Sequence, residues 1–481
     1  MSLTSSLNTA VAGLDLASRR AEVVARNVAN ADKAGYARRS LETGGAGLAS
    51  PGSATSVARD IDPRMTAIRR EAQSRQAGDQ VMASFLGAID GAIGDPDKSG
   101  SLQDRLARLD AAFVAASTEP HSQVRLLEIA ESATDLAGFI NGLDDTVTQA
   151  RQDADTDIGK AVEQLNADLA DVSRINTDIR RLTLGKHDTA DLMDQRSVLV
   201  DRISQQIPLR QLPRDDGAIA LVSTGGIMLL DGRAAELGFA ARAPLTPEMS
   251  MPTHLSGLTV NGRDVAVSGP ASGIGQGRLG ALFALRDTVA PEATARLDSL
   301  AADLIARFED PAVDPTRAAG APGLFTEQGA ALSAAPEAGL AGRLGVNALV
   351  RPDAAGEVWR LRDGFGAAAP TRTGAPDMLL RLGAAMADRA PPAMAGLPDA
   401  ATDLPGHAAA LKSLFSADRL RSEDRVAFSA TEVKGLVDKR DGGAVDTDDE
   451  MRRLIQIEQA YAANARMIQA ADDMMNRLLE I

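Results

Sequence analysis

Leu3-Thr-Ser-Ser-Leu7-Asn-Thr-Ala10-Val-Ala-Gly-Leu14-Asp-Leu-Ala17-Ser-Arg-Arg-Ala21-Glu-Val-Val24-Ala-Arg-Asn-Val28-Ala-Asn-Ala31 decides how the chain is read, because its apolar residues recur at alternating steps of four and three. The opposite end repeats the pattern. Leu454, Tyr461, Ile468 and Met475 lie seven apart, as do Ile457, Asn464, Ala471 and Leu478. A seven-residue apolar repeat keeps one stripe of a helix turned toward a partner helix, the condition for a coiled coil. Two such helices at opposite termini predict a chain that folds back on itself, an architecture of assembly before one of catalysis.

The seam is weak by composition. Four of its nine N-terminal positions are Ala, and each buries roughly 2 kcal/mol less than Leu would, at about 0.8 kcal/mol per buried CH₂. Apolar stripes at helical spacing are most often intramolecular core. A pair this poor in large side chains is marginal alone and gains order from neighbours, so packing between copies is the expected use. A buried Asn in such a seam sets register at some cost in stability, the role expected of Asn464.

Between the termini the chain reads as mainly α with a β insert: N- and C-terminal helices paired as a coiled coil, a long-helix stem domain and a central β-rich outer domain. Residues 1–60 are expected to hold the first coil helix and a linker, flexible over the Gly-, Ser- and Ala-rich stretch 40–58. Residues 61–207 form the stem, with helices at about 63–93, 101–117 and 190–206. Residues 121–183 lack Pro and keep Ile158, Val162, Leu165, Leu169, Val172, Ile179 and Leu182 on one seam. As one helix that stretch runs on the order of 90 Å at 1.5 Å per residue. Residues 208–277 are the β-rich unit, from short apolar runs such as Ala218–Ser223 and Gly226–Leu230 between turns at Asp216-Gly217 and Asn261-Gly262. A return helix spans 278–310, an irregular Pro/Gly/Ala-rich segment 311–406, and the C-terminal stem and coil helices 407–481.

Composition narrows the function. With 481 residues and 44% apolar content the chain has ample material for packed cores, but only 3% is aromatic, so Ala, Leu and Val seams carry the packing. The net charge of −15 argues against a nucleic-acid partner, which needs a dense basic face, and against an anionic membrane surface. There is no Cys, hence no thiolate chemistry. No Sec-type signal peptide and no membrane span are expected.

Candidate chemistry is sparse. Gly275-Gln-Gly277-Arg-Leu-Gly280 fits a phosphate-cradling G-x-G-x-x-G, but it follows the last strand of a β run, so a glycine turn back to the stem is the expected reading. His121, His187, His254 and His407 share no metal-ligand spacing. Asp446, Asp448, Asp449 and Glu450 fit a helix N-terminus stabilised by the macrodipole. No catalytic, cofactor-binding or metal-ligating residues are expected, and no cofactor.

Ala25-Arg-Asn27-Val-Ala-Asn30-Ala-Asp-Lys-Ala34-Gly35-Tyr36 resembles the N-terminal signature of flagellar axial proteins, the rod, hook and hook-associated family, with Ala34 where Thr is usual. The run from Asp448 to Leu479 resembles that family's closing helix. Within the family, Asp191-Leu-Met-Asp194-Gln195-Arg196-Ser197-Val-Leu-Val and Gly277-Arg-Leu-Gly-Ala-Leu-Phe-Ala-Leu-Arg286-Asp287 resemble segments of its hook–filament junction branch. Residues 351–407 match nothing in it. The resemblance implies a non-enzymatic structural subunit, extracellular in the bacterial flagellum and exported through the flagellar type III apparatus. It implies as partners copies of the chain itself in a ring, hook protein, the next hook-associated protein and an export chaperone at the C-terminal helix.

The assembly surface is then expected at Leu3, Leu7, Leu14, Val24 and Val28 on the first helix, and at Leu454, Ile457, Tyr461, Asn464, Ile468, Met475, Leu478 and Leu479 on the last. Asn27, Asn30, Gly35 and Tyr36 either fix the turn after the first helix or, for the two Asn, are ordinary exposed helix residues. The alternatives are another axial subunit (hook protein or second junction protein), or a nucleotide-binding enzyme using Gly275–Gly280.

Overall fold

The computed structural model of the chain describes residues 3–33, 35–43, 55–185, 187–267, 269, 272–371, 374–441 and 445–479. Helix α1 (Leu3–Ala29) leads into a hairpin of β1 (Arg39–Thr43) and β2 (Thr55–Arg59), antiparallel with Leu41 opposite Val57. The stretch expected to be a flexible linker therefore contains two paired strands. Period-two residues at its edges pair, whatever the glycine-rich composition between them.

The stem begins with α2 (Pro63–Ile93), whose start is fixed by Asp62: its carboxylate accepts from the Arg64 and Met65 amides, and Pro63 occupies a first-turn position that needs no donor. Gly94, at φ +82°, ends it. Ser101 caps α3 (Leu102–Thr118). Ser122 caps α4 (Gln123–Leu184), the 62-residue helix expected from the 121–183 periodicity, and α5 (Ala190–Gln206) follows. Along α4, Ile129, Leu136, Ile140, Val147, Ile158, Leu169, Val172 and Ile179 are fully buried. The stripe is interrupted by Arg151 and Asp155, where the outer unit docks.

That unit has two small antiparallel sheets. The first orders β3 (Leu209–Pro213), β4 (Ile219–Ser223), β5 (Met228–Asp231) and β6 (Arg233–Ala234) side by side; the second orders β7 (Leu237–Gly238), β8 (Leu258–Val260) and β9 (Arg263–Val265). Two arginines fasten it. Arg151 donates to the carbonyls of Arg286, Thr246, Pro247 and Met249. Arg286, fully buried, pairs with Asp155 at 2.7 Å and Asp287 at 2.7 Å and stacks on Phe239 and Phe283. A buried guanidinium is tolerated there because carboxylates and carbonyls replace its water.

The chain returns through α6 (Arg278–Ala284), a π turn at Leu285–Val289 and α7 (Ala290–Phe308). Pro291 lacks the N–H that an unbroken helix needs at this point, which accounts for the wider turn. Strands β10 (Phe325–Glu327) and β11 (Leu344–Val346) flank α8 (Leu340–Arg343), and α9 (Arg360–Asp363) and α10 (Asp377–Ala387) follow. The segment expected to be irregular thus holds a helix, α10, which buries Met378, Leu379, Leu382 and Met386; its flanking Pro and Gly residues obscure it in the sequence. Few aromatics serve the core, and they cluster: Phe308 lies 6.1 Å from Phe113 and 5.3 Å from Phe325.

Helix α11 (Leu404–Asp441) runs back along α2, antiparallel, joined by Lys412 and Arg419 on Asp90 (2.8 and 2.9 Å) and by Arg75 on Glu432 (3.1 Å). Helix α12 (Thr447–Leu479) then pairs with α1. Asn27 meets Glu450 and Gly13 meets Asn464, so the two terminal helices lie antiparallel.

The candidate assembly site at the root of the terminal coil

The seam of the coil alternates as the heptads require, but shallowly. On α1, Ala10, Ala17 and Val24 are buried and Leu7 and Leu14 half-buried; Val28 is 36% exposed. On α12, Leu454, Ile457, Asn464 and Ile468 are half-buried and Ala471 is buried. Tyr461 and Met475 stay 49% and 41% exposed. The side chains of Leu3, Leu478 and Leu479 lie outside the described residues. Asn464 sits over Gly13, where a Cβ would stand only 2.6 Å from its Nδ2. The amide fits because the facing residue has no side chain.

At the root the contacts become polar and specific. Asn27 is fully buried and saturated: its Nδ2 donates to the Arg39 carbonyl (2.9 Å) and to Glu450 Oε2 (3.0 Å), while its Oδ1 accepts from the Arg39 amide (2.9 Å) and the Tyr36 hydroxyl (2.9 Å). One side chain thereby joins α1, β1 and α12. Asn30 is the simpler case; half-buried, it donates to its own helix at the Arg26 carbonyl, 2.8 Å away. Gly35 has φ +80°, and a Cβ there would run into Val198 Cγ2 of α5, so both its backbone and its surroundings require glycine. Ala34 lies outside the described residues.

Ion pairs complete the clamp. Glu450 receives Arg38 Nε at 2.8 Å and Arg453 at 2.7 Å and has almost no exposed surface. It is not the solvated helix-start acid that its neighbours suggest; Asp446 alone caps α12, accepting from the Asp448 and Asp449 amides. Arg39, stacked 4.9 Å from the Tyr36 ring, reaches Asp191 (2.5 Å) and Asp194 (3.0 Å) on α5, and Arg59 reaches Asp194 at 2.6 Å. The hydrogen bond from Arg39 holds the Asp191 carboxyl below its ordinary range, and burial raises the Tyr36 phenol. The N-terminal signature with the Arg39 that follows it and the Asp191–Val200 run, 155 positions apart at Arg39 and Asp194, are therefore two halves of one joint between coil and stem.

Sequence reasoning missed Arg38, Arg39, Arg59 and Glu450. Their one signal was two adjacent arginines directly after the Gly-Tyr turn. It also missed a second apolar set on the coil. Val11, Met451, Ile455, Met467 and Met474 are each about half exposed, outside the seam.

The Gly275–Gly280 turn is filled by the protein itself. A Cβ at Gly277 would strike the Gln206 carbonyl and one at Gly280 the Gly275 carbonyl, so these glycines admit neighbouring backbone. Among the described residues there is no cluster of three or more His, Cys, Asp or Glu placed to hold a metal, and no helix is long and apolar enough to cross a membrane.

Residues 86–323 match the family described as flagellar hook-associated protein FlgK helical domain, and residues 442–481 match the C-terminal region of the flagellar basal body rod FlgEFG proteins. Flagellar hook-associated protein 1 of Salmonella typhimurium is 26% identical over 300 residues, covering 59% of this chain and 52% of that protein. The Escherichia coli protein of the same name is 24% identical over the same shares. The chain thus spans about half the length of the curated relatives it matches. A solved structure, the flagellar hook junction protein FlgK from Burkholderia pseudomallei, aligns with TM-score 0.42 and 19% identity over 55% of this chain and 46% of that one. Both family matches fall on the segments that build the stem and the closing coil helix, and over them the chain is similar to flagellar hook-associated protein 1.

Proposed function

We propose that the chain is a non-enzymatic structural subunit of the bacterial flagellum, placed at the hook–filament junction. Copies of it form a ring, with hook protein on one side and the next hook-associated protein on the other, and the coils α1 and α12 pack against those of neighbouring copies. One observation carries this reading. The terminal coil is clamped to the stem at its root by Asn27, Arg39 and Glu450, yet along its length it leaves Val11, Met451, Ile455, Met467 and Met474 in solvent. A fixed helix pair with apolar residues on two faces is an unfinished surface, and exposed apolar area of this kind marks an interface. Arrival outside the cell by the flagellar export route, and a chaperone that covers the α12 face before export, follow as parts of the same proposal.

Deleting the gene and imaging the cells by electron microscopy tests it. Hooks without filaments, with filament protein released into the medium, are expected. Normal filaments would contradict it.

A further inference from the structure

Beside the root of the coil lies a cleft of about 1200 Å³, between Ala31–Arg38, the β2 edge, the start of α2 and the outer face of α5. Its lining holds eight bases against four acids, in a chain of net charge −15. Much of that charge is answered from within. Arg38 and Arg59 reach Glu450 and Asp194, Arg202 reaches Asp168 at 2.7 Å, and Arg69 and Arg70 share the single carboxylate of Asp201.

Lys33 and Lys439 are exposed, and Arg196 is the buried exception. It is 6% exposed, and among the described residues its hydrogen-bond partners are the neutral oxygens of Asn176 (2.8 Å) and Gly217 (2.9 Å), both taken by one terminal nitrogen. Its Nε and other terminal nitrogen have no hydrogen-bond partner among the described residues. Burial, with Arg59 and Arg70 nearby, pushes its pKa down to about 10. A guanidinium so placed lacks the counter-charge that makes burial tolerable, and a strongly perturbed group in a cleft marks a candidate binding site. Of the acids in the lining, Asp201 answers Arg69 and Arg70, Asp60 pairs with Arg38 and Asp62 caps α2, so none of these three is given to Arg196.

We infer that the cleft receives a carboxylate side chain from a second copy of this chain, with Arg196 as its receptor. The occupant follows from charge and place. A second copy is rich in acids, and the cleft adjoins the coil root, so a neighbour packed along the coil passes over it. A cleft on one face taking a side chain from a different face is a head-to-tail contact, the kind that closes into rings. The inference rests on the junction role proposed above and names a contact within it.

Arg196→Lys places an amine in the cleft that a carbodiimide can join to an adjacent carboxylate; arginine does not react this way. Flagella assembled from the variant are treated with carbodiimide, and products are read by denaturing gel and peptide mass spectrometry. A band at twice the 50.1 kDa chain mass, with position 196 linked to an Asp or Glu of another copy, is expected and should be absent from the wild type. Links only within one chain, links to a different protein, or no link at 196 while the lysines at 33 and 439 react would overturn the inference. So would phosphate-induced thermal stabilisation of the free chain that is lost in Arg196→Gln without any dimer link, the signature of a small-anion site. Arg196→Gln, with a melting temperature near that of the wild type, should incorporate at least tenfold less well; undiminished incorporation also counts against the contact. If wild-type chain is missing from the hook–filament fraction, the junction role fails instead, which separates the two failures.

Discussion

The stem and the terminal coil are built from the same elements, helices with apolar stripes, yet they finish differently. In the stem the stripe of α4 is covered by α2, α3, α5, α7 and the outer unit, and its Ile and Leu residues are buried almost completely. In the coil, among the described residues, only Ala10, Ala17, Val23, Val24 and Ala471 of the apolar residues reach comparable burial, and the large ones stay half open. The difference teaches where each part obtains its stability. The stem is complete within one chain; the coil has a fixed root and an uncovered body, and completion must come from outside.

Mutations that sharpen this contrast begin in the stem. Leu169→Ala deletes a fully buried side chain and should lower stability by about 3–5 kcal/mol, measured by urea unfolding followed through helical circular dichroism; a loss below 1 kcal/mol would mean that the stem is loosely packed too. Asp144 is the stem's weak point. It is buried in α4, one of its oxygens has no partner, and its pKa is raised to about 6 by burial first and then by Asp298 and Asp145, with Arg343 opposing. The fold therefore favours the protonated acid: that stability is fully present below about pH 3.8 and is lost as pH rises through about 6. Asp144→Asn should accordingly stabilise the chain by on the order of 2–3 kcal/mol at pH 7.5, with the gain fading toward pH 4. A gain independent of pH would show that charge is not the cause.

Smaller effects are expected at the root. Asn27→Ala strands the Arg39 amide, the Tyr36 hydroxyl and one Glu450 contact, and costs about 1–3 kcal/mol. The loss should show as faster amide exchange confined to β1 and the adjoining ends of α1 and α12. Faster exchange across the stem instead would mean that the clamp supports the whole fold. Smallest of all in the free chain is Leu14→Ala, in the half-buried seam. It should change urea stability by less than about 1 kcal/mol, since little area is lost from water, while strongly reducing incorporation into flagella. A large loss in the free chain would place the seam with the stem core.

How far the sequence revealed this differs between the same two regions. Heptads at both ends made the coil pairing readable, and α4 was legible because its seam runs without a Pro. The joint between them was not. Arg39 and Asp194 are far apart in the chain, and nothing in either run shows that one charge answers the other. Glu450 was hidden in a different way: three acids around it face water, and the one that turns inward is set by Arg38, which only the folded hairpin supplies. The outer apolar positions Met467 and Met474 lie just beside the seam and merge with it in any periodicity count.

The coil's dependence on neighbours can be measured directly by amide hydrogen exchange along the whole chain, free in solution and again in assembled flagella. In the free chain α1 and α12 should exchange orders of magnitude faster than α4, and on assembly their protection should rise to match it. Slow exchange of α1 and α12 in the free chain, equal to that of α4, would contradict the account, because the coil would then be complete without a neighbour.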